Sequence, residues 1–364
     1  MANLDVRTPR FYVDYINYLM SRGVSSSNFG ISTGDASNLD VATNGGSAQE
    51  LFDMRPLNQV EFNTTSDTDG HVSVVLDLNT SSLRVDFVAI LNHNMLAADA
   101  KVRISSSETK SEVEAIDHAG ADDTEGNNLL VNVIGTKTIQ NNKATVDDTY
   151  SWGAGHTIVT FPQNKEADNT FADRYWGIQF EGTNSQTSVG HGNGTFDTST
   201  NLKIGCILLG QFYDMPQAPD LQIKRSIIFD GVDTRQSLGG SRFSNLNNHG
   251  RRALTSTNKS PFMTYFDSFG AYGGRMVYDM NFSYLSSSQI MPTSYDTPQT
   301  SQDAVIEDLW NKTNGNHIPY IFTQDNTSTE YSDYLFARFG QNNLDMTQVA
   351  DKVYNIKFRI EEEF

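Results

Sequence analysis

Apolar and polar residues alternate along much of this chain with the two-residue period of half-buried strands, and the clearest examples come in two pairs. The first pair is Val72-Ser-Val-Val-Leu-Asp-Leu78 with Leu83-Arg-Val-Asp-Phe-Val-Ala-Ile-Leu-Asn-His-Asn94. The second is Arg174-Tyr-Trp-Gly-Ile-Gln-Phe180 with Leu202-Lys-Ile-Gly-Cys-Ile-Leu-Leu-Gly210. Each joins an alternating phrase to a nearly all-apolar one, the requirement of a sandwich of two sheets. Between them, about 105–170 is the most polar stretch, with short strand candidates at Asn128–Ile134 and His156–Phe161; it reads as a polar insertion.

Helical spacing is confined to two places. Phe11, Tyr15, Tyr18 and Leu19 fall on one face of a helix predicted within residues 7–23, with Pro9 suited to its start and Gly23 to its stop. Its aromatic stripe packs on the chain's own body or docks on a neighbour. The second helix is predicted near 301–313, with Val305, Ile306, Leu309 and Trp310 on one face and acidic residues in its early turns. Pro216 and Pro219 stiffen 214–220 into a linker. Beyond it, Val277–Tyr284, Ile318–Phe322, Tyr334–Phe339 and Lys352–Ile360 read as strands. The last sets Tyr354, Ile356, Phe358 and Ile360 opposite Val353, Asn355, Lys357 and Arg359.

The expected architecture is therefore mainly β. An N-terminal helix and arm (1–49) precede a jelly-roll β-sandwich (50–213) that carries the insertion. The linker 214–220 and a second β-sandwich domain (221–364) follow. Twenty-one Phe and 15 Tyr in 364 residues supply large apolar side chains for such cores.

Charge and chemistry narrow the function. The formal net charge is −18, which opposes binding to phosphate backbones. The single cysteine, Cys206, permits no intrachain disulfide and lies in an apolar strand phrase. No apolar run approaches the roughly 20 residues of a membrane-spanning helix, and the N-terminus does not read as a secretory signal. The seven histidines show no metal-ligand spacing. His93 stands out, in a loop (Leu91-Asn-His-Asn94) where a sandwich can present polar groups; Asn94 and Trp152 join it as a candidate ligand set. Neither Asp117, Asp122, Asp123 and Glu125 nor Asp67-Thr-Asp-Gly70 meets the order of a calcium loop. No nucleophile elbow, Walker loop or dinucleotide fingerprint is present. The reading is of a protein that binds or builds, not an enzyme, with no cofactor or metal expected.

The opening Pro9-Arg-Phe-Tyr-Val-Asp-Tyr-Ile-Asn-Tyr-Leu19 resembles the start of virion proteins of marine tailed bacteriophages. Phe87-Val-Ala-Ile-Leu-Asn-His-Asn94, with Tyr175–Phe180 and Ile204–Gly210, is similar to discoidin-like (galactose-binding-like) jelly rolls. The C-terminal third, with Pro319–Phe322, Leu335–Phe339 and the final strand, resembles phage distal-tail or baseplate β-domains. The resemblance implies a structural component of the virion tail, assembled in the bacterial cytoplasm. Its partners would be other copies of itself in a ring and neighbouring tail proteins, without sequence-specific nucleic-acid contacts or membrane insertion. Assembly would fall to Phe11, Tyr12, Tyr15 and Tyr18 in the arm and to Tyr354, Ile356 and Phe358 in the last strand. The alternatives are a carbohydrate-binding module for host-surface glycan, presenting His93, Asn94 or Trp152, and a glycan depolymerase with paired carboxylates.

Overall fold

The computed structural model describes residues 7–31, 47–66, 71–81, 83–114, 128–135, 139–140, 147–150, 155–160, 173–182, 195–229, 232–246, 274–292, 303–328 and 333–363. The chain is mainly β and divides into two compact units. The N-terminal unit comprises Tyr12–Phe212 and Thr293–Asp303; the C-terminal unit comprises Met1–Phe11, Tyr213–Pro292 and Ala304–Phe364. Described residues of 1–49, expected as a separate helix and arm, are thus shared between the two.

The N-terminal unit uses strands β1 (Arg10–Asp14), β2 (Phe29–Ile31), β3 (Val60–Glu61), β4 (His71–Asp77), β5 (Phe87–Leu91), β6 (Ala100–Ser107), β7 (Asn128–Gly135), β8 (Ile139–Gln140), β9 (Asp147–Tyr150), β10 (His156–Thr160), β11 (Tyr175–Gly182), β12 (Lys203–Ile204) and β13 (Cys206–Asp214). One sheet runs β1-β13-β5-β10-β8 and the other β2-β4-β11-β6-β7-β9, with β12 and β3 a small separate ladder. The alternating phrases of the sequence meet in one sheet, where β11 pairs antiparallel with β4 and with β6. The all-apolar phrases meet in the other, where β5 lies between β13 and β10. Every residue of β5 is buried, which is why its sequence lacks alternation. Inside the span expected as an insertion, β10 is also buried throughout and completes this sheet beside β5. On the other sheet, helix α2 (Lys110–Glu114) lies against β11 and β6, and Gly177 makes room for Val113, whose Cγ1 would stand 2.5 Å from an added Cβ.

The helix predicted within 7–23 is shorter than its spacing suggests. Arg10–Asp14 is strand, and α1 runs only over Tyr15–Ser21. Asp14 sets the break as N-cap: its Oδ2 accepts from the Asn17 backbone N–H at 2.8 Å and from Asn17 Nδ2 at 2.9 Å. Its Oδ1 accepts from the Leu209 N–H at 3.2 Å. The aromatic and β-branched run before Asp14 favours extended backbone, so the apparent stripe joined two elements.

The C-terminal unit is built from β14 (Lys224–Ile228), β15 (Val232–Gln236), β16 (Arg242–Leu246), β17 (Arg275–Ser286), β18 (Tyr320–Thr323), β19 (Tyr334–Phe339), β20 (Met346–Ala350) and β21 (Val353–Glu362). Its sheet runs β14-β17-β21-β19-β18, and β20 also pairs with β21; β15 and β16 form a separate two-stranded ladder. The β17–β21 ladder is the spine, with an irregularity between Phe282 and Leu285 that carries Tyr284 at φ 62°. The alternation read in the last strand holds: Ile356, Phe358 and Ile360 are buried. Phe11 supplies the centre of this core, with ring centroids 5.4 Å from Tyr320, 5.2 Å from Phe322 and 6.1 Å from both Phe339 and Phe358.

The helix expected near 301–313 is a π-helix, Val305–Asn311. Its inward side holds Glu307 and Asp308 as well as Val305 and Leu309, which a 3.6-residue stripe does not anticipate. Asp308 is buried against Lys312, Oδ1 to Nζ 2.9 Å, and its Oδ2 accepts from the Ala304 N–H at 3.2 Å. This polar pair draws the turn inward.

Candidate functional site

The loop after β5 carries the ligand set proposed from sequence, and it faces inward. His93 is buried: the Met95 N–H donates to Nδ1 at 3.4 Å, which leaves the ring proton on Nε2, 3.0 Å from Thr157 Oγ1. Burial, with the nearby His156 second, pulls its pKa down to about 3, so the ring is neutral in the fold. Asn94 is half-buried and clamps backbone: Nδ2 donates to Asn201 O at 2.8 Å, and Oδ1 accepts from the Lys203 N–H at 2.7 Å. Both residues hold the loop to the β12 and β10 segments. Trp152 lies outside the described residues, as do the acidic clusters 117–125 and 67–70.

The residues proposed for assembly are placed in cores. Phe11, Tyr12, Tyr15 and Tyr18 are buried, Tyr12 with its ring centroid 5.1 Å from Phe87 and Tyr15 donating its hydroxyl to Gln211 Oε1 at 2.6 Å. Ile356 and Phe358 are buried, and only Tyr354 is half exposed. Phe11, Tyr12, Tyr15, Tyr18, Ile356 and Phe358 thus turn their apolar surface inside the chain, while Tyr354 stays partly exposed.

Among the described residues, no three His, Cys, Asp or Glu side chains come together as metal ligands, and no helix is long and apolar enough to cross a membrane. Cys206 is buried, and burial pushes its thiol well above the usual range, away from the thiolate a nucleophile requires. Lys101 and Glu181 lie directly opposite in the β6–β11 register with Nζ to Oε2 at 3.1 Å, a buried pair that fixes register.

The surface that sequence reasoning missed lies in the C-terminal unit. From Leu221 to Phe243 the exposed apolar side chains are Leu221 (88% exposed), Ile227, Phe229 (50%), Val232, Leu238 and Phe243 (63%). Ile227, Val232 and Phe243 lie on β14, β15 and β16 together with exposed Lys224, Arg225, Arg235 and Arg242, while Leu221, Phe229 and Leu238 lie in the segments that flank these strands. Arg235 reaches only Asp233, at 3.0 Å on open surface, where an ion pair adds little. The tip is a turn, with Gly240 at φ 86°. Residues 221–246 contain four Lys or Arg against two Asp, in a chain of net charge −18. That inversion of sign beside apolar residues was the signal available in the sequence. Single exposed apolar residues are ordinary; it is a large contiguous apolar patch that marks an interaction surface.

No family model matches the chain, and no curated protein matches it. Among solved structures, it is similar to one described as CpGH89CBM32-6 produced by Clostridium perfringens, with 14% identity and a TM-score of 0.25, covering 48% of this chain and 91% of that one. A likeness at that score carries no argument about fold or ligand.

Proposed function

We propose that this chain is a structural protein that acts by binding other protein surfaces, as a distal-tail or baseplate component of a tailed bacteriophage whose copies assemble into a ring. The observation that supports assembly is the run of exposed apolar and cationic side chains on β14 and the β15–β16 ladder of an otherwise acidic chain. The phage setting is supported by the sequence resemblances of the opening segment and the C-terminal strands, taken in their order along the chain. Two measurements test the reading. Sedimentation of the purified chain is expected to show concentration-dependent association, and quantitative mass spectrometry of purified virions is expected to find it in multiple copies per particle. A chain that stays monomeric at every concentration and is missing from virions overturns it.

A further inference from the structure

We propose that copies join head to tail through opposite edges of the C-terminal sheet, β14 of one copy adding to β20 of the next; this deepens the assembly reading and rests on it. Among the described residues, β14 ends the sheet order and β20 pairs with β21 alone. The two strands flank the β17–β21 ladder on opposite sides, three strand spacings or about 14 Å across the strands, and at opposite ends of it: β14 lies along Arg275–Asp279, and β20 lies along Val353–Ile356, which pair with Phe282–Ser286. Each is five residues long. An edge strand offers a row of backbone donors and acceptors to any strand that can approach it.

The side chains select which approach succeeds. β14 carries Lys224 and Arg225 exposed, with Ile227 58% exposed. β20 contains no charge; Asp345 and Asp351 bracket it, with Lys352 the one cation beside them, and it exposes Met346 and Val349 (46%). Pairing β14 with β14 in parallel would set cations against cations, and in antiparallel it would set Lys224 and Arg225 opposite Ile228 and Ile227 with no acid to meet them; pairing β20 with β20 antiparallel would set Asp345 against Asp351. Pairing β14 with β20 matches charge and apolar surface at once. Since the two patches differ, the contact is heterologous: it closes into a ring if the rotation per copy divides the circle and otherwise propagates as a filament.

The test is a charge swap in the full chain. K224E/R225E and D345K/D351K, each confirmed as folded by circular dichroism, should each weaken self-association about tenfold or more. Mixed in equal amounts they should associate again, because each variant's altered edge then meets its complement on the other. Association unchanged in either variant, or not restored on mixing, overturns the edge pairing while leaving the assembly reading in place. If the wild-type chain does not self-associate but K224E/R225E is lost from virions, the partner of β14 is another tail protein and the second-copy proposal is overturned. A wild-type chain that neither self-associates nor enters virions removes the assembly reading itself.

Discussion

Asp14 is buried in the N-terminal unit, and the removal of water raises its pKa from 3.8 to about 6 despite hydrogen bonds from Asn17 and Leu209 that favour the anion. The folded state therefore holds this proton more tightly than the unfolded chain. The stabilisation is fully present below about pH 4 and is lost as pH rises through 6, a change of about 3 kcal/mol for a shift of two units. Asp14→Asn should flatten the stability profile between pH 4 and 7, read by urea unfolding at each pH. His93 acts with the opposite sign. Its folded pKa of about 3 lies below the ordinary 6.5, so its contribution is complete above pH 6.5 and is lost as pH falls toward 3. His93→Gln should remove that acid-side loss in the same experiment, at the cost of the Thr157 contact. Neither orientation was legible in the sequence: a histidine in an Asn-rich loop carries no mark of whether it points out or in, and here the deciding partners, Met95 and Thr157, include one 64 positions away.

Strands were more legible than helices. An alternating phrase states its own period, and β4, β11, β17 and β21 lie where the pattern set them. β10 was read as a strand within a polar insertion, but its place in the sheet was hidden because its neighbours in sequence are polar while its neighbours in space, β5 and β8, are not sequential. The π-helix was hidden because Asp308 finds Lys312 in the core, a pairing that periodicity counts as surface. The exposure of β14 and the β15–β16 ladder was missed for a related reason: Phe229 and Phe243 look like core residues in sequence yet are exposed, and Ile227 is 58% exposed even with Gly274 beside it. At this scale close approach is also testable. Gly210 lies where an added Cβ would stand 2.0 Å from Val13 O, so β1 and β13 meet with no space for a side chain. Gly210→Ala should cost about 3 kcal/mol, at the upper end of overpacking penalties, because backbone must move. Thermal or urea unfolding of the variant checks this.

At the scale of the whole molecule, the C-terminal unit is assembled from both ends of the chain, and Phe11 sits among Tyr320, Phe322, Phe339 and Phe358. Phe11→Ala should destabilise that unit by about 3–5 kcal/mol, the usual cost of deleting a buried ring. Native-state hydrogen exchange should show faster exchange at amides of β18, β19 and β21, with smaller changes in β4, β6 and β11. Equal acceleration everywhere would mean that the two units unfold as one.

The placement of Phe11 also sets a schedule for synthesis. A ribosome releases that ring long before Phe358 emerges to meet it. Until then Phe11 lacks the aromatic rings it packs against and stands open to chaperones and proteases, so only a chain translated through β21 can complete this core.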